Sequence, residues 1–235
     1  MSNSKLPVIG VIILNTEFPR FAGDIGNPDS FAKLGFGSVY ERVPVATVAK
    51  VVTGDGIDQV VAEQLLAAAT RLGEADVDLV LTSCGYLGEL QPELQKATKV
   101  PVVASSLTLL DFLGSVHGAE TAIGVMTFDA RRLKPHHLQM QSPGASVIEE
   151  KRKVVIRGME SSPGFYSMIA EDQPEADFDL LKQEVIEVAS TFQQSGIAAL
   201  ILECTNLSPF KNEIREAAGV PVFDILDVCS FLLRT

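Results

Sequence analysis

Short apolar runs recur along the chain and alternate with longer stretches of helical spacing. Val8 to Leu14, Val77 to Leu81 and Ile197 to Leu202 show no polar alternation, the pattern of parallel strands buried on both faces. Between them, Val60, Val61, Leu65, Ala68 and Leu72 recur at helical spacing. The pattern predicts helices near 57–73, 107–117, 131–140, 174–194 and 225–234. Two stretches containing glycine and proline, Asn15 to Phe36 and Met159 to Glu175, read as loops over a site.

Comparing the chain with itself adds a repeat. Residues 77–104 align without a gap on residues 197–224 at an offset of 120. Cys84 falls on Cys204, Glu93 on Glu213, Ala97 on Ala217, and Val100-Pro101-Val102 on Val220-Pro221-Val222. Each cysteine stands 17 residues before its proline. Val8 to Val11 likewise resembles Ala122 to Val125, and Lys50 to Gly54 weakly resembles Lys153 to Gly158 as a further strand pair. Each copy reads as a buried strand, a polar turn carrying the cysteine, a helix, and a strand that opens with proline. Ser208-Pro209 reads as a helix cap and first turn, and Gly219 as a helix end.

Strands alternating with helices imply βαβ units and parallel sheets. The fold class is therefore α/β, with two pseudo-symmetric lobes. Each lobe is a roughly four-stranded parallel sheet flanked by helices, and the active site lies in the cleft between them. Residues 1–116 form the first lobe and 117–224 the second, with the last helix, 225–235, packing back on the first.

Ligands in open parallel sheets bind beyond the carboxyl ends of the strands. Both cysteines fall just past such an end and just before a helix, whose N-terminal dipole would lower a thiol pKa. The pair then suits proton removal and return on opposite faces of one carbon. Ser83, Gly85 and Tyr86 flank the first cysteine, Thr205 and Asn206 follow the second, and Asn15, Thr16 and Thr127 end the first strand of each lobe. All eight are candidate substrate-binding positions. Arg20 is a further candidate, as a clamp for a distal carboxylate. Cys229 reads as core, His136-His137 as a surface helix pair, and His117 as a helix end.

The composition, 46% hydrophobic and 21% charged, is that of a globular chain able to bury a core. The formal charge of −11, from 19 basic and 30 acidic residues without a basic run, argues against nucleic acid as a partner. No run approaches the length of a membrane helix. Three widely spaced cysteines and no export signal point to the reducing cytoplasm. The chain has no CxxC pair, and its three histidines are not spaced with the cysteines as ligands, so no metal is expected. The sequence leaves homo-oligomer formation open.

The blocks "LTSCGY" and "LECTNL", with the N-terminal "LNTEFPRFAGDIGNP", resemble the aspartate/glutamate racemase superfamily. That group includes aspartate, glutamate and hydantoin racemases, maleate isomerase and arylmalonate decarboxylase. The resemblance implies cofactor-independent chemistry on a small acid, with Cys84 and Cys204 matching the two catalytic cysteines. Having both favours a racemase or isomerase over a decarboxylase, which keeps one. Asn15-Thr16 stands where familiar racemases often carry a carboxylate or serine, and Asn206 stands where glutamate racemases carry histidine. The implied function is racemisation of an aspartate-, glutamate- or hydantoin-like substrate. The alternatives are a maleate-type cis–trans isomerase with one nucleophilic cysteine and a two-lobed small-molecule binding protein without catalysis.

Overall fold

A computed structural model describes residues 6–118, 120–138 and 153–233. Two parallel sheets of four strands each share one topology. The first is β1 (Val8–Leu14), β2 (Gly37–Val43), β3 (Leu79–Thr82) and β4 (Val102–Val103), in the order β2-β1-β3-β4. The second is β5 (Ala122–Thr127), β6 (Val154–Gly158), β7 (Ile197–Leu202) and β8 (Val222–Phe223), in the order β6-β5-β7-β8. All described pairings are parallel. The repeat is thus a repeat of structure: each cysteine follows the third strand of its sheet.

The helices are α1 (Pro28–Ala32), α2 (Val48–Val51), α3 (Gln59–Glu74), α4 (Gln91–Ala97), α5 (Leu109–His117), α6 (Pro135–Leu138), α7 (Pro163–Ala170), α8 (Phe178–Ser190), α9 (Lys211–Ala218) and α10 (Ile225–Leu233). Helix α3 buries Val61, Leu65, Ala68 and Leu72 on one face, and Asp58 caps it by accepting from the Val60 N–H. Helix α9 ends at Gly219, whose left-handed φ of 70° is cheap only for glycine.

Several expectations need correction. Lys50 to Gly54 is not a strand. The partner of β1 on that side is Gly37–Val43, an edge strand whose residues are mostly half-buried, so it lacks a continuous apolar run. The Met159 to Glu175 stretch contains α7. Ser208-Pro209 does not start a helix: both lie inside a 3₁₀ turn, Thr205–Phe210, and α9 follows at Lys211. Of the helix expected over 131–140, Pro135–Leu138 is helical, and 139–140 lie outside the described residues.

The lobes exchange their last helices. Helix α5 packs against β5 and β7, so the chain reaches the second sheet near residue 104, ahead of a boundary at 116. Ile225, Val228 and Cys229 of α10 share a core cluster with Ile9, Val11, Leu79, Leu81 and Val103 of the first sheet.

Leu81 is fully buried in that cluster. Leu81→Ala is expected to lower the unfolding free energy by about 2–5 kcal/mol in urea denaturation. A loss well under 1 kcal/mol would contradict the packing of α10 on this sheet.

Candidate active site

The turns after β3 and β7 face each other at the carboxyl ends of the two sheets. Each runs into a 3₁₀ turn, Gly85–Leu90 in one lobe and Thr205–Phe210 in the other. Direct bonds lock them together. The Thr205 hydroxyl donates to the Ser83 carbonyl at 3.0 Å, and the Ser106 hydroxyl donates to the Leu202 carbonyl at 2.6 Å. Ser83 Oγ accepts from the Leu14 N–H at 3.1 Å, tying the turn to the end of β1.

Both thiols line one small cavity between these turns, with about 20 Å³ open to solvent-sized groups. That is room for about one water. Ser83, Gly85, Tyr86, Thr205 and Asn206 line the cavity with them. The remaining expected positions stand behind it. Thr127 Oγ1 donates to Glu203 at 2.6 Å, Thr16 Oγ1 accepts from Arg20 at 3.1 Å, and Asn15 turns away, its amide donating to the Pro44 carbonyl at 3.1 Å.

Glu203 is a site residue that sequence reasoning missed. It sits next to Cys204, is essentially unexposed, and lines the cavity. One carboxylate oxygen takes the Thr127 bond; the other, Oε1, is buried without a hydrogen-bond partner. A Cβ at position 85 would fall within contact distance of both Glu203 Oε1 and the Glu203 carbonyl, so the glycine is what lets the turns approach. Burial pushes the Glu203 carboxyl up to about 7, against the Thr127 bond that lowers it. Aligning the repeats gives the signal that was available: Ser83 stands opposite Glu203, a charged residue at the end of an apolar strand.

Arg20 and Asp24 complete a chain of bonds into the cavity. Cys204 Sγ donates to Asn206 Oδ1 at 3.7 Å, and Asn206 Nδ2 donates to Asp24 Oδ2 at 2.8 Å. Asp24, fully buried, also accepts from Arg20 at 3.2 Å. The Arg20 guanidinium lies 4.4 Å from the Phe18 ring centroid, and its Nε is buried without a partner. Both Arg20 and Phe18 line the cavity.

The expectation of low thiol pKa values is overturned. Burial and the neighbouring Glu203 charge push Cys84 up to about 12, although the N–H groups of Tyr86 and Leu87 and the Arg20 charge pull it down. Burial and Glu203 also raise Cys204 well above the ordinary thiol range. The 3₁₀ turns do present N–H groups, but desolvation outweighs them. Both sulfurs rest as thiols.

His137 is buried, not at the surface. Its ring lies 5.0 Å from that of Tyr86, and burial pushes its pKa down to about 4. Glu89, His136 and His137 are the described residues whose ligand atoms cluster tightly enough to suggest a metal. However, His137 Nδ1 accepts from the Lys134 N–H at 3.0 Å, so Nε2 carries the proton and faces Glu89 at 3.6 Å. With Nδ1 occupied and Nε2 protonated, His137 has no free lone pair for an ion.

A model of the family described as Asp/Glu/Hydantoin racemase matches residues 53–229. The chain belongs to this family. Among solved structures of racemases, glutamate racemase from Francisella tularensis aligns at a TM-score of 0.57 and 18% identity, over 97% of this chain and 79% of that one. Allantoin racemase from Klebsiella pneumoniae aligns at 0.60 and 15%, over 96% and 85%. Among curated relatives, dimethylsulfoniopropionate lyase 6 of Emiliania huxleyi is 29% identical over 97% of this chain. The chain spans 60% of that relative's length. No helix among the described residues is long and apolar enough to cross a membrane.

Removing the Glu203 charge should ease ionisation of Cys84. Glu203→Gln is expected to speed iodoacetamide alkylation of Cys84 at about pH 8, where a carboxyl with a pKa of about 7 is mostly ionised. The gain should fade by about pH 6, where the wild-type carboxyl is already neutral. Peptide mass spectrometry reads the site, and equal rates at both pH values would refute the coupling.

Proposed function

We propose that this protein is a cofactor-independent carbon-acid enzyme, which removes a proton from the carbon α to a carboxylate and uses Cys84 and Cys204 as its two proton-transfer groups. One observation carries this reading: thiols from equivalent strand ends of two equivalent sheets line a single small cavity. The outcome best supported by that two-fold arrangement is racemisation of a small amino acid or a close derivative. One thiolate takes the α-proton, the electron pair spreads into the substrate carboxylate, and the opposite thiol returns a proton to the other face.

Arg20 is the group suited to the substrate carboxylate. Its unpartnered Nε is a donor already desolvated in the cavity wall, and Asp24 and Thr16 hold the guanidinium in place. Ionisation of Cys84 draws on the Tyr86 and Leu87 N–H groups and on Arg20. The proton that Cys84 must shed leaves to solvent, to which that residue is partly exposed.

The likeness to dimethylsulfoniopropionate lyases along 97% of this chain favours a second reading, β-elimination. It begins with the same α-proton transfer to a thiolate. The carbanion pair then forms a carbon–carbon double bond as the β-substituent departs with its bonding electrons. Only one thiol is needed as base.

The two outcomes separate in heavy water. Racemisation is expected to incorporate deuterium at the α-carbon of aspartate or glutamate, with inversion. Elimination is expected to release dimethyl sulfide and acrylate from dimethylsulfoniopropionate. Cys84→Ser and Cys204→Ser should each lower racemisation by at least about 100-fold, in line with the loss of a positioned acid or base. Under elimination, one of the two should retain most of the activity. Turnover that survives both substitutions would sink the thiol mechanism. Binding without turnover would leave the chain a binding protein.

A further inference from the structure

The charges around the cavity do not balance. Arg20 is paired with Asp24. Glu203 has no such partner: its carboxyl is raised by burial and lowered only by the neutral Thr127 hydroxyl. Its free oxygen, Oε1, is buried in a residue that lines the cavity. An ionised carboxylate in such a place carries a large desolvation cost until a positive charge joins it. The aromatic residues Phe18, Tyr86 and Phe128 line the same space, and the Phe18 ring already carries the Arg20 guanidinium, so the Glu203 oxygen is the group left for a second cation.

We propose that Glu203 is the subsite for the positively charged end of the substrate, so the protein takes small carboxylic acids bearing an onium centre, sulfonium or ammonium, and discriminates against uncharged analogues. This rests on the carbon-acid reading above and assigns the two ends of the substrate: carboxylate toward Arg20, onium toward Glu203. It also gives the cation a role in catalysis. Glu203 is one of the charges that hold both thiols protonated. An onium group beside it offsets that charge and makes a thiolate easier to form. The substrate then activates the base that attacks it.

The titratable neighbours do not blur a pH test. Cys84, Cys204 and Tyr86 are all raised and stay neutral near pH 7, while Arg20 and Asp24 form their own pair. Asp129 lies beyond Tyr86, tied to Arg131. The carboxyl of the empty site titrates at about 7. Bound cation favours its ionised form and lowers that value. Onium affinity is therefore full above about pH 7 and falls as pH drops below it.

The test is calorimetric titration of the full chain with two matched pairs. Dimethylsulfoniopropionate is set against 4-methylpentanoate, and aspartate against succinate. At about pH 8 at least one onium acid is expected to bind roughly tenfold or more tighter than its uncharged partner, as a buried charge pair would give. Glu203→Gln, which keeps an acceptor for Thr127, should erase that preference. In wild type the preference should also shrink by about pH 5.5, a readout that needs no variant to fold. Equal binding within both pairs, no binding of either onium acid, or a preference that survives both Glu203→Gln and low pH would overturn the proposal. If α-proton exchange still requires the cysteines in that case, the subsite assignment fails alone and the carbon-acid reading stands.

Discussion

The close approach of the two strand-end turns is the constraint on which the site depends. Position 85 carries no side chain, and the Glu203 main chain and carboxyl occupy the space that a Cβ would need. Thr205 then reaches the Ser83 carbonyl across the gap, and Ser106 reaches Leu202. With that contact made, Cys84 and Cys204 face one cavity. A larger residue at 85 would hold the turns apart, and the two sheets would keep their folds while losing the shared site.

The same contact sets the electrostatics. It buries a carboxyl between two thiols in a space that admits about 20 Å³ of solvent. Burial makes all three groups resist ionisation, and at the two thiols the Glu203 charge adds to it. Thiols are poor nucleophiles and oxidise slowly compared with thiolates. With both thiols held neutral the site is chemically quiet, and a change of charge inside it would ease formation of a thiolate. Arg20 is already paired with Asp24, and under the onium proposal that change is supplied by the incoming molecule.

Much of this was legible in the sequence because the repeat carries it. Buried parallel strands leave unbroken apolar runs, and a common offset from cysteine to proline placed both thiols beyond equivalent strands. Gly37–Val43 escaped notice because an edge strand needs no such run. Glu203 carries no local mark of its burial: it aligns with Ser83, but other aligned positions differ in charge as much or more, Lys96 and Glu216 among them. The thiol pKa values were misjudged for a different reason. A strand-to-helix position is visible in sequence and predicts N–H donors, whereas the desolvation that outweighs them is created by the opposite lobe. The same holds for His137, whose burial against Tyr86 joins residues that no local pattern connects.

The way the lobes are joined resists their separation. The chain crosses between sheets twice, and each crossing delivers a helix into the other lobe's packing: α5 onto β5 and β7, α10 onto the β1 and β3 face. Parting the lobes as rigid bodies would strain both crossings and expose apolar surface at each. The segment over the cavity is held in depth as well. The N–H groups of Glu17 and Phe18 both donate to Asp172 Oδ1, at 2.7 and 3.2 Å. Phe18 is packed in the core, and the Arg20 guanidinium is bonded to the buried Asp24 and to Thr16. Lifting that segment would unpair a buried charge and expose an aromatic side chain, costs of the same kind as those of parting the lobes.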